Sequence, residues 1–349
     1  MDYQNYLNVL DMWDAEEETP NRKRKEYKER RDPFLLSDED FKTKYRFTKN
    51  YINKIVNLIK EDIVRDTRGC GVSPELQVLT AIRTWARQEV QDDAADLHGL
   101  SQQSITNICR RVAAALANKA SSFIYMPRSI YEQQEVMSEF RAICGMKHTV
   151  GAIDCTHIRI KKVGGPSSQY YINRKGFYSI NVQVVCDAKL KIRDIVARWR
   201  GSTHDSRIFN ESRIKERFES GEFSGHLIGD AGYALTEYLF TPVNNPTTQR
   251  EEAYNRAHIM TRNSVERCFG LWKNRFRCLL SGFTVKQENA KLYIIALAVL
   301  HNIAIDMGEQ IEGIEALDPD SDLPSLSPQE NELPIYEPTT RNNYILRYY

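Results

Sequence analysis

The sequence predicts an α/β domain preceded by an all-helical region. Up to about residue 146, apolar residues recur at spacings of three and four, which is typical of amphipathic helices. From His148 onward, three short runs rich in Val and Ile follow one another, with turn residues between them. A helix, a fourth apolar run and further helices come next. Strands and helices in this order are typical of a layered α/β domain.

Composition and cysteine usage restrict the class of protein. A chain of 349 residues with 41% hydrophobic and 27% charged residues can bury a large core without disulfides. No uninterrupted apolar run reaches the roughly 20 residues of a membrane span, so no membrane partner is expected. The seven cysteines are scattered without a CxxC pair, and the N-terminus is acidic where a signal peptide is basic. These features predict a reducing, intracellular compartment and argue against a thiolate zinc site.

The net charge of +1 is the sum of two segments with opposite charge. From Arg22 to Arg31, seven of ten residues are Lys or Arg, which indicates a nuclear import signal, a phosphate-binding patch or a solvated helical face. From Asn302 to Thr340 there are ten acidic residues, no basic residue and several prolines. We therefore predict a flexible basic arm over 1–33 and a disordered acidic tail over 306–349.

The region 34–146 contains three helical patterns. The segment "FKTKYRFTKNYINKIVNLIKEDIV" predicts one amphipathic helix. The next pattern, "SPELQVLTAIRTWARQEV", has Ser73 as N-cap and Pro74 at the first helical position. Then a short helix, a turn at Gly99 and a helix capped by Ser101, with Ile105, Ile108 and Val112 inward, predict a helix-turn-helix.

The outer face of the last helix carries amide and guanidinium groups that can reach base edges or phosphates. The same helix pair, joined by glycine, also occurs in all-α domains that do not bind DNA. The predicted DNA-contacting face consists of Gln102, Gln103, Thr106, Asn107, Arg110 and Arg111.

The second region, 147–305, contains the α/β pattern. Its predicted strands are "TVGAIDCTHIRI", "YSINVQVVCDA", "KIRDIVARWRG" and the short "HLIGDAGY". A helix over "HDSRIFNESRIKERFES" separates the third strand from the fourth. The long helix "NRAHIMTRNSVERCFGLWKNRFRCLL" follows, and the apolar helix "KQENAKLYIIALAVLHNIAIDM" is expected to pack across the sheet.

Acidic residues stand at the ends of two of these strands. Asp154 closes "VGAID" and Asp230 closes "HLIGD", so both are expected at strand ends of one sheet. Carboxylates that converge there need a cation, and the local sequence offers no Lys or Arg to supply it. Asp205 opens the intervening helix, where an ordinary N-cap explains it equally well.

Glu266 lies on the long helix beside an apolar stripe formed by Val265, Phe269, Trp272, Phe276 and Leu279. It is about 100° round from Val265, at the border of the stripe. Glu266 therefore either faces the sheet edge or is an ordinary surface glutamate. Two histidines next to acids, His157 and His204, either orient a ligand or form ordinary hydrogen bonds. Arg174 and Lys175, in "NRKGFYS", are candidates for holding DNA phosphates.

Six motifs in order resemble the DDE endonuclease domain of the Harbinger/PIF transposase superfamily, in particular its animal transposase-derived nucleases. They are "GAIDCTHIRI", "NRKGFYSINVQVVCD", "GSTHDSRIF", "LIGDAGYAL", "YNRAHIMTRNSVERCFGLWKNRFRCL" and "AVLHNI". The resemblance covers roughly 148–305, and the preceding helices resemble the helix-turn-helix region of that family. It implies a ribonuclease-H-like fold. The one departure is Cys155, which stands where glycine is commoner.

The resemblance also implies a site and a reaction. Asp154, Asp230 and Glu266 would be the catalytic acids, and Asp205 a further metal ligand. They would bind Mg²⁺ or Mn²⁺ for two-metal cleavage of DNA phosphodiester bonds. The resemblance further implies a separate Myb-like protein as the partner of this chain. It implies a nuclear location for the chain, and also a cytoplasmic one if import depends on that partner. The alternative is a catalytically silent DNA-binding or scaffold protein with the same fold. A phosphatase or another metallohydrolase fits the acids, but not the helix-turn-helix and the basic arm.

Overall fold

The computed structural model describes residues 32–64, 71–87, 99–308 and 340–349. The predicted basic arm lies almost entirely outside the described residues. The first helix of the predicted helix-turn-helix, over 92–98, and most of the acidic tail, over 309–339, also lie outside them.

The first region is helical, as predicted. The segment predicted as one amphipathic helix forms two, because Arg46 adopts the left-handed conformation (φ 64°) and ends the first of them. Ser73 caps the next helix through the amide of Leu76, and Ser101 caps the one after it through the amide of Ser104. The helices are α1 (Asp38–Tyr45), α2 (Lys49–Ile63), α3 (Pro74–Arg87), α4 (Gln102–Asn118), α5 (Ala120–Phe123) and α6 (Ile130–Cys144).

A five-stranded mixed sheet forms the centre of the second region, in the order β3-β2-β1-β4-β5. The first three strands pair antiparallel, whereas β4 runs parallel to both β1 and β5. The four predicted strands are present. The fifth has only two residues and therefore leaves no periodic pattern. The strands are β1 (Thr149–Arg159), β2 (Ser179–Cys186), β3 (Ile192–Arg200), β4 (His226–Ile228) and β5 (Leu239–Phe240).

Two short helices and a long one follow β3 along the chain. The segment predicted as one helix after β3 divides into α7 (Asp205–Asn210) and α8 (Arg213–Glu219), because Ser212 caps a new helix through the amide of Lys215. The long helix α9 (Gln249–Arg275) begins at a capping box formed by Thr248 and Glu251. The short α10 (Cys278–Ser281) comes after it.

Both faces of the sheet are covered, because side chains alternate along each strand. On one face, Ala152 and Val182 join a core that contains Val265 of α9 and extends into the first helical region. On the other face, Val150, Ile153 and Val185 pack with Phe209 and Phe218 of α7 and α8, as part of a second core.

The apolar helix α11 (Gln287–Asp306) packs across the sheet, as predicted. By length and composition this helix could cross a membrane, but 67% of its 18-residue apolar stretch is buried inside the protein. Asn302 ties it to β3, since its side chain accepts a hydrogen bond from the Ile192 amide and donates one to the Ile192 carbonyl, at 2.8 and 2.7 Å. α11 is therefore a core helix.

The last ten residues correct the prediction of a disordered tail. They contain helix α12 (Arg341–Tyr348), in which Tyr344 and Ile345 are buried. The Tyr344 hydroxyl accepts a hydrogen bond from the Lys147 amide and donates one to the Lys147 carbonyl, both at 2.9 Å. This end of the chain folds because its aromatic residues bury apolar surface.

Candidate active site

Asp154 lies in the middle of β1, not at its end as predicted. The strand continues to Arg159 because β2 pairs with it along that whole length. On the other side, the pairing with β4 stops at Ala152, opposite Ile228. Asp154 therefore stands just beyond the point where the parallel pairing ends, with 18% of its side chain exposed.

Asp230 follows the end of β4 by two residues, as the sequence indicates. β1 and β4 are parallel, and Ala152 pairs with Ile228. Asp154 and Asp230 each follow this pair by two residues, so they lie level with each other. The Asp230 Oδ1 accepts a hydrogen bond from the Gly232 amide at 3.0 Å. The two aspartates thus come together at the edge that the sequence predicts.

Glu266 on α9 is linked to Asp154 through Arg262, one helical turn earlier. The Arg262 Nη2 lies 2.6 Å from the Glu266 Oε1, and its Nη1 lies 3.4 Å from the Asp154 Oδ2. The cation that the local sequence at the strand ends does not offer comes from a distant helix. Glu266 itself has 52% of its side chain exposed.

The pKa of Asp154 is raised to about 6, mainly because burial penalises the charged carboxylate. The neighbouring carboxylates of Asp230 and Asp205 raise it further. A hydrogen bond from the Cys155 amide, at 2.7 Å, and the charge of Arg262 act in the opposite direction. The arrangement therefore holds a partly buried carboxylate that one nearby arginine does not fully compensate.

Asp205 lies at the start of α7, and its contacts are with the opposite face of β1. Its Oδ1 accepts a hydrogen bond from the Asn181 Nδ2 at 2.8 Å, and Asn181 pairs with His157 across the strands. His157 and Asp154 are three positions apart on β1, so their side chains point to opposite faces. Asp205 is thus close enough to act on the Asp154 pKa, but the structure does not group it with Asp154 and Glu266.

The partly buried Cys155 and the buried Tyr233 share the Asp205 side of the strand. The Cys155 Sγ lies 3.4 Å from the Tyr233 hydroxyl, and burial raises the pKa of both groups well above their usual values. His157 bonds through Nδ1 to the Ser179 hydroxyl at 3.1 Å, and burial lowers its pKa. His204 is exposed at the N-cap of α7. These contacts favour the reading of His157 as an ordinary hydrogen-bonded histidine.

A basic group lies further along β1. Lys273 of α9 donates a hydrogen bond to the Thr156 Oγ1, and burial together with the charge of Lys175 lowers its pKa to about 8. Arg174 and Lys175 are exposed in a tight turn, where the Asn173 carboxamide accepts hydrogen bonds from the Lys175 and Phe177 amides. Positive charge therefore stands near Asp154 on the same strand.

The predicted DNA-contacting face of α4 is exposed at four of its six positions: Gln102, Gln103, Asn107 and Arg110. Arg111 instead donates a hydrogen bond to the Gln77 Oε1 on α3 at 2.7 Å, and Thr106 bonds to the Gln102 carbonyl at 3.1 Å. Arg111 therefore ties two helices together. DNA contact by this face stays a prediction, because the helix that should precede Gly99 lies outside the described residues.

The donor atoms suit a hard divalent cation, but the geometry is not a preformed cage. Carboxylate oxygens are the ligands that Mg²⁺ and Mn²⁺ prefer. Within the described ranges, no three His, Cys, Asp or Glu side chains come close enough together to hold a metal ion. Arg262 stands between Asp154 and Glu266, so a metal there requires this guanidinium to move. Asp154, Asp230 and Glu266 are the residues that would hold it.

Arg262 and Lys273 contact the acids and their strand, and the sequence analysis did not single them out as site residues. Their signal is the spacing of Arg262, Glu266, Phe269 and Lys273, at steps of four, three and four, which places all four on one helical face. Only the position of α9 over β1 shows that this face lies against the acids.

The chain is similar to known proteins over most of its length. Residues 153–302 match the DDE superfamily endonuclease model, and this range includes all four acids. The chain is 33% identical to Putative nuclease HARBI1 of Rattus norvegicus over 281 residues, 79% of this chain and 80% of that protein. It is 30% identical to the Xenopus laevis protein of that name over 307 residues, covering 85% and 88%.

A plant protein is also similar. Antagonist of like heterochromatin protein 1 of Arabidopsis thaliana is 26% identical over 306 residues, 80% of this chain and 77% of that protein. No solved structure matches the chain.

Proposed function

Because the chain belongs to the family of Harbinger transposase-derived nucleases, with a DDE endonuclease domain, we propose that it is a metal-dependent DNA endonuclease. The observation that carries this proposal is the meeting of Asp154 and Asp230 at adjacent strands, with Glu266 joined to Asp154 through Arg262. Two acids that lie far apart along the chain thus stand at adjacent strands, and a third is tied to them by an arginine, beside a basic group. We infer that the fold is ribonuclease-H-like from the strand order and from the two parallel strands.

The residues of the site have distinct roles in this proposal. Asp154, Asp230 and Glu266 would hold Mg²⁺ or Mn²⁺, and Asp205 would be a further ligand. Bound divalent cations supply stabilisation of the charge that develops on the attacking and leaving oxygens. Lys273, Arg174 and Lys175 bind the phosphates on either side of the bond to be cleaved and so fix the DNA strand in line with the acids. No protein nucleophile takes part.

A nicking assay tests the proposal. The wild-type protein should nick supercoiled plasmid in Mg²⁺ or Mn²⁺ but not in EDTA, and Asp154→Asn and Glu266→Gln should each lose at least about a hundredfold in rate. Glu61→Gln, at an exposed position of α2, is the matched control. Absence of metal-dependent nicking, or equal nicking by wild type and variants, would contradict the proposal.

The second candidate function is a catalytically silent DNA-binding or scaffold protein. The ion pairs of Arg262 favour it, because a stable arginine bridge between Asp154 and Glu266 leaves less room for a metal. The relative named as an antagonist of a heterochromatin protein is consistent with such a role. DNA binding without nicking, unchanged in Asp154→Asn, would favour this candidate.

The location and partner belong to the same proposal. We infer a nuclear location from the basic segment between Arg22 and Arg31. We also infer that the DNA-binding partner is a Myb-like protein. If import depends on that partner, the protein expressed alone should stay in the cytoplasm and enter the nucleus on co-expression. The same distribution with and without the partner would contradict this part of the proposal.

A further inference from the structure

A basic and aromatic pocket at the β3 edge of the sheet takes no part in the site described above. It encloses about 580 Å³, a volume typical of sites that bind small ligands. It lies between the end of β3 and the start of α7. Its wall includes Tyr170, Arg198, Trp199, Arg200, Arg207 and Glu211.

The arginines of this pocket lie near its aromatic rings. The guanidinium carbons of Arg198 and Arg207 are 5.7 and 5.8 Å from the centre of the Trp199 ring. That of Arg200 is 5.2 Å from the centre of the Tyr170 ring. Cation–π contacts of this kind fix a guanidinium and leave N–H groups free for a phosphate.

The pocket carries a net positive charge. Arg207 pairs with Glu211 at 3.0 Å, and Arg198 donates a hydrogen bond to the Glu211 carbonyl at 3.1 Å. As far as the described residues show, the Arg200 guanidinium makes ring contacts but no hydrogen bond or ion pair. Three guanidinium groups and one carboxylate thus line the pocket, and this excess of positive charge attracts an anion.

The sheet links this pocket to the acids. Trp199 pairs with Asn181, which pairs with His157, so all three stand in one row across the strands. Along β1, this row lies three residues from Asp154, a distance of about 10 Å. Across the sheet, Trp199 lies two strands from β1, also about 10 Å. Asn181 also holds Asp205, the first residue of α7. Trp199 stands in the row of His157, which points to the face of the sheet opposite that of Asp154, so one DNA strand reaches both the acids and the pocket by passing around the β3 edge of the sheet.

We propose that this pocket binds an unpaired nucleotide of the substrate DNA, with its base stacked on Trp199 and its phosphate bound by Arg200 and Arg207. The proposal deepens the endonuclease function and rests on it. An unpaired base is required, because a paired base is stacked on its neighbours and has no free face for the indole. The combination of aromatic rings and arginines is the one that proteins use to hold single-stranded nucleic acid.

Binding in EDTA tests the pocket without cleavage. The probes are fluorescein-labelled oligothymidylate, a duplex of equal length, and an oligonucleotide containing 2-aminopurine. Trp199→Ala should weaken single-strand binding about fivefold or more, leave duplex affinity unchanged, and abolish the quenching of 2-aminopurine. Trp199→Phe should retain part of both effects. Arg200→Gln should lower the salt dependence of single-strand binding by about one phosphate contact.

The matched control is Arg347→Gln on α12, which packs at the other end of the sheet, near β4 and β5. The Trp199 Nε1 has no hydrogen-bond partner in the structure, so Trp199→Phe leaves no acceptor unpaired and should fold normally, as circular dichroism will check. Unchanged single-strand binding in Trp199→Ala, or an equal loss for single strand and duplex, overturns the pocket.

The two proposals fail separately. If nicking by the wild type depends on metal and on Asp154, but Trp199→Ala binds single strands normally, only the pocket proposal is wrong. If single-strand binding depends on Trp199 but no nicking occurs, the pocket stands and the endonuclease function is wrong.

Discussion

The Arg262 Nη1 lies 3.4 Å from the Asp154 Oδ2, although the two residues are 108 positions apart in the chain. The same guanidinium pairs with Glu266 at 2.6 Å. An arginine therefore stands where a cation between the acids is expected. Since a guanidinium and a metal ion compete for the same carboxylate oxygens, the ion pairs and metal binding oppose each other.

The first prediction concerns this competition. Arg262→Gln removes the competing charge and should tighten Mn²⁺ binding by about tenfold, the equivalent of one charge-assisted hydrogen bond. Titration calorimetry without DNA measures it, with Arg262→Lys as the variant that keeps the charge. Weaker Mn²⁺ binding by Arg262→Gln would mean that the arginine orients the ligands instead of competing for them.

The second prediction concerns the burial of Asp154. Its pKa is raised from 3.8 to about 6, so the folded state binds the Asp154 proton more tightly than the unfolded state does. Asp154 should therefore destabilise the metal-free fold progressively as the pH rises from about 4 to 6, by on the order of 2–3 kcal/mol. Asp154→Asn should gain stability over wild type at pH 8 but little at pH 4. Urea unfolding in EDTA measures this, with Glu61→Gln as control.

The third prediction concerns Lys273, whose pKa burial lowers to about 8. Its ammonium loses its charge as the pH rises through 8, so DNA affinity should fall between about pH 7 and 9. Lys273→Arg stays charged and should lack this fall, whereas Lys273→Gln should bind more weakly throughout, with a salt slope lower by about one. Anisotropy in EDTA measures it. The same pH profile in wild type and Lys273→Arg would rule out a phosphate contact by this residue.

The fourth prediction concerns the C-terminal helix. Tyr344→Phe leaves the Lys147 amide and carbonyl without the hydroxyl that they share, and should cost about 1–3 kcal/mol of unfolding free energy. Leu346→Ala on the same helix is the control, because Leu346 is 65% exposed and should change stability by less than about 0.5 kcal/mol. Urea unfolding compares the two. An effect of Tyr344→Phe no larger than that of Leu346→Ala would mean that α12 does not support the fold.

Local patterns were sufficient for most of the elements. The buried faces of α2, α3 and α4, the caps Ser73 and Ser101, and strands β1 to β4 follow from periodicity and capping chemistry. Apart from the C-terminal helix, which forms where a disordered tail was predicted, the predictions that were wrong involve boundaries. β1 runs past Asp154 because β2 pairs with it, and the helix after β3 divides because Ser212 offers a second cap. β5 is too short to leave a pattern.

The sequence by itself determined the order of the elements and the acids to be examined, because hydrophobic periodicity and carboxylates at apolar strand ends are local properties. The tertiary structure decided which groups meet. The parallel pairing of β1 with β4 brings Asp230 level with Asp154, and the packing of α9 brings Arg262, Glu266 and Lys273 to them. Contacts between residues over a hundred positions apart depend on how helices and strands pack, which no local pattern records.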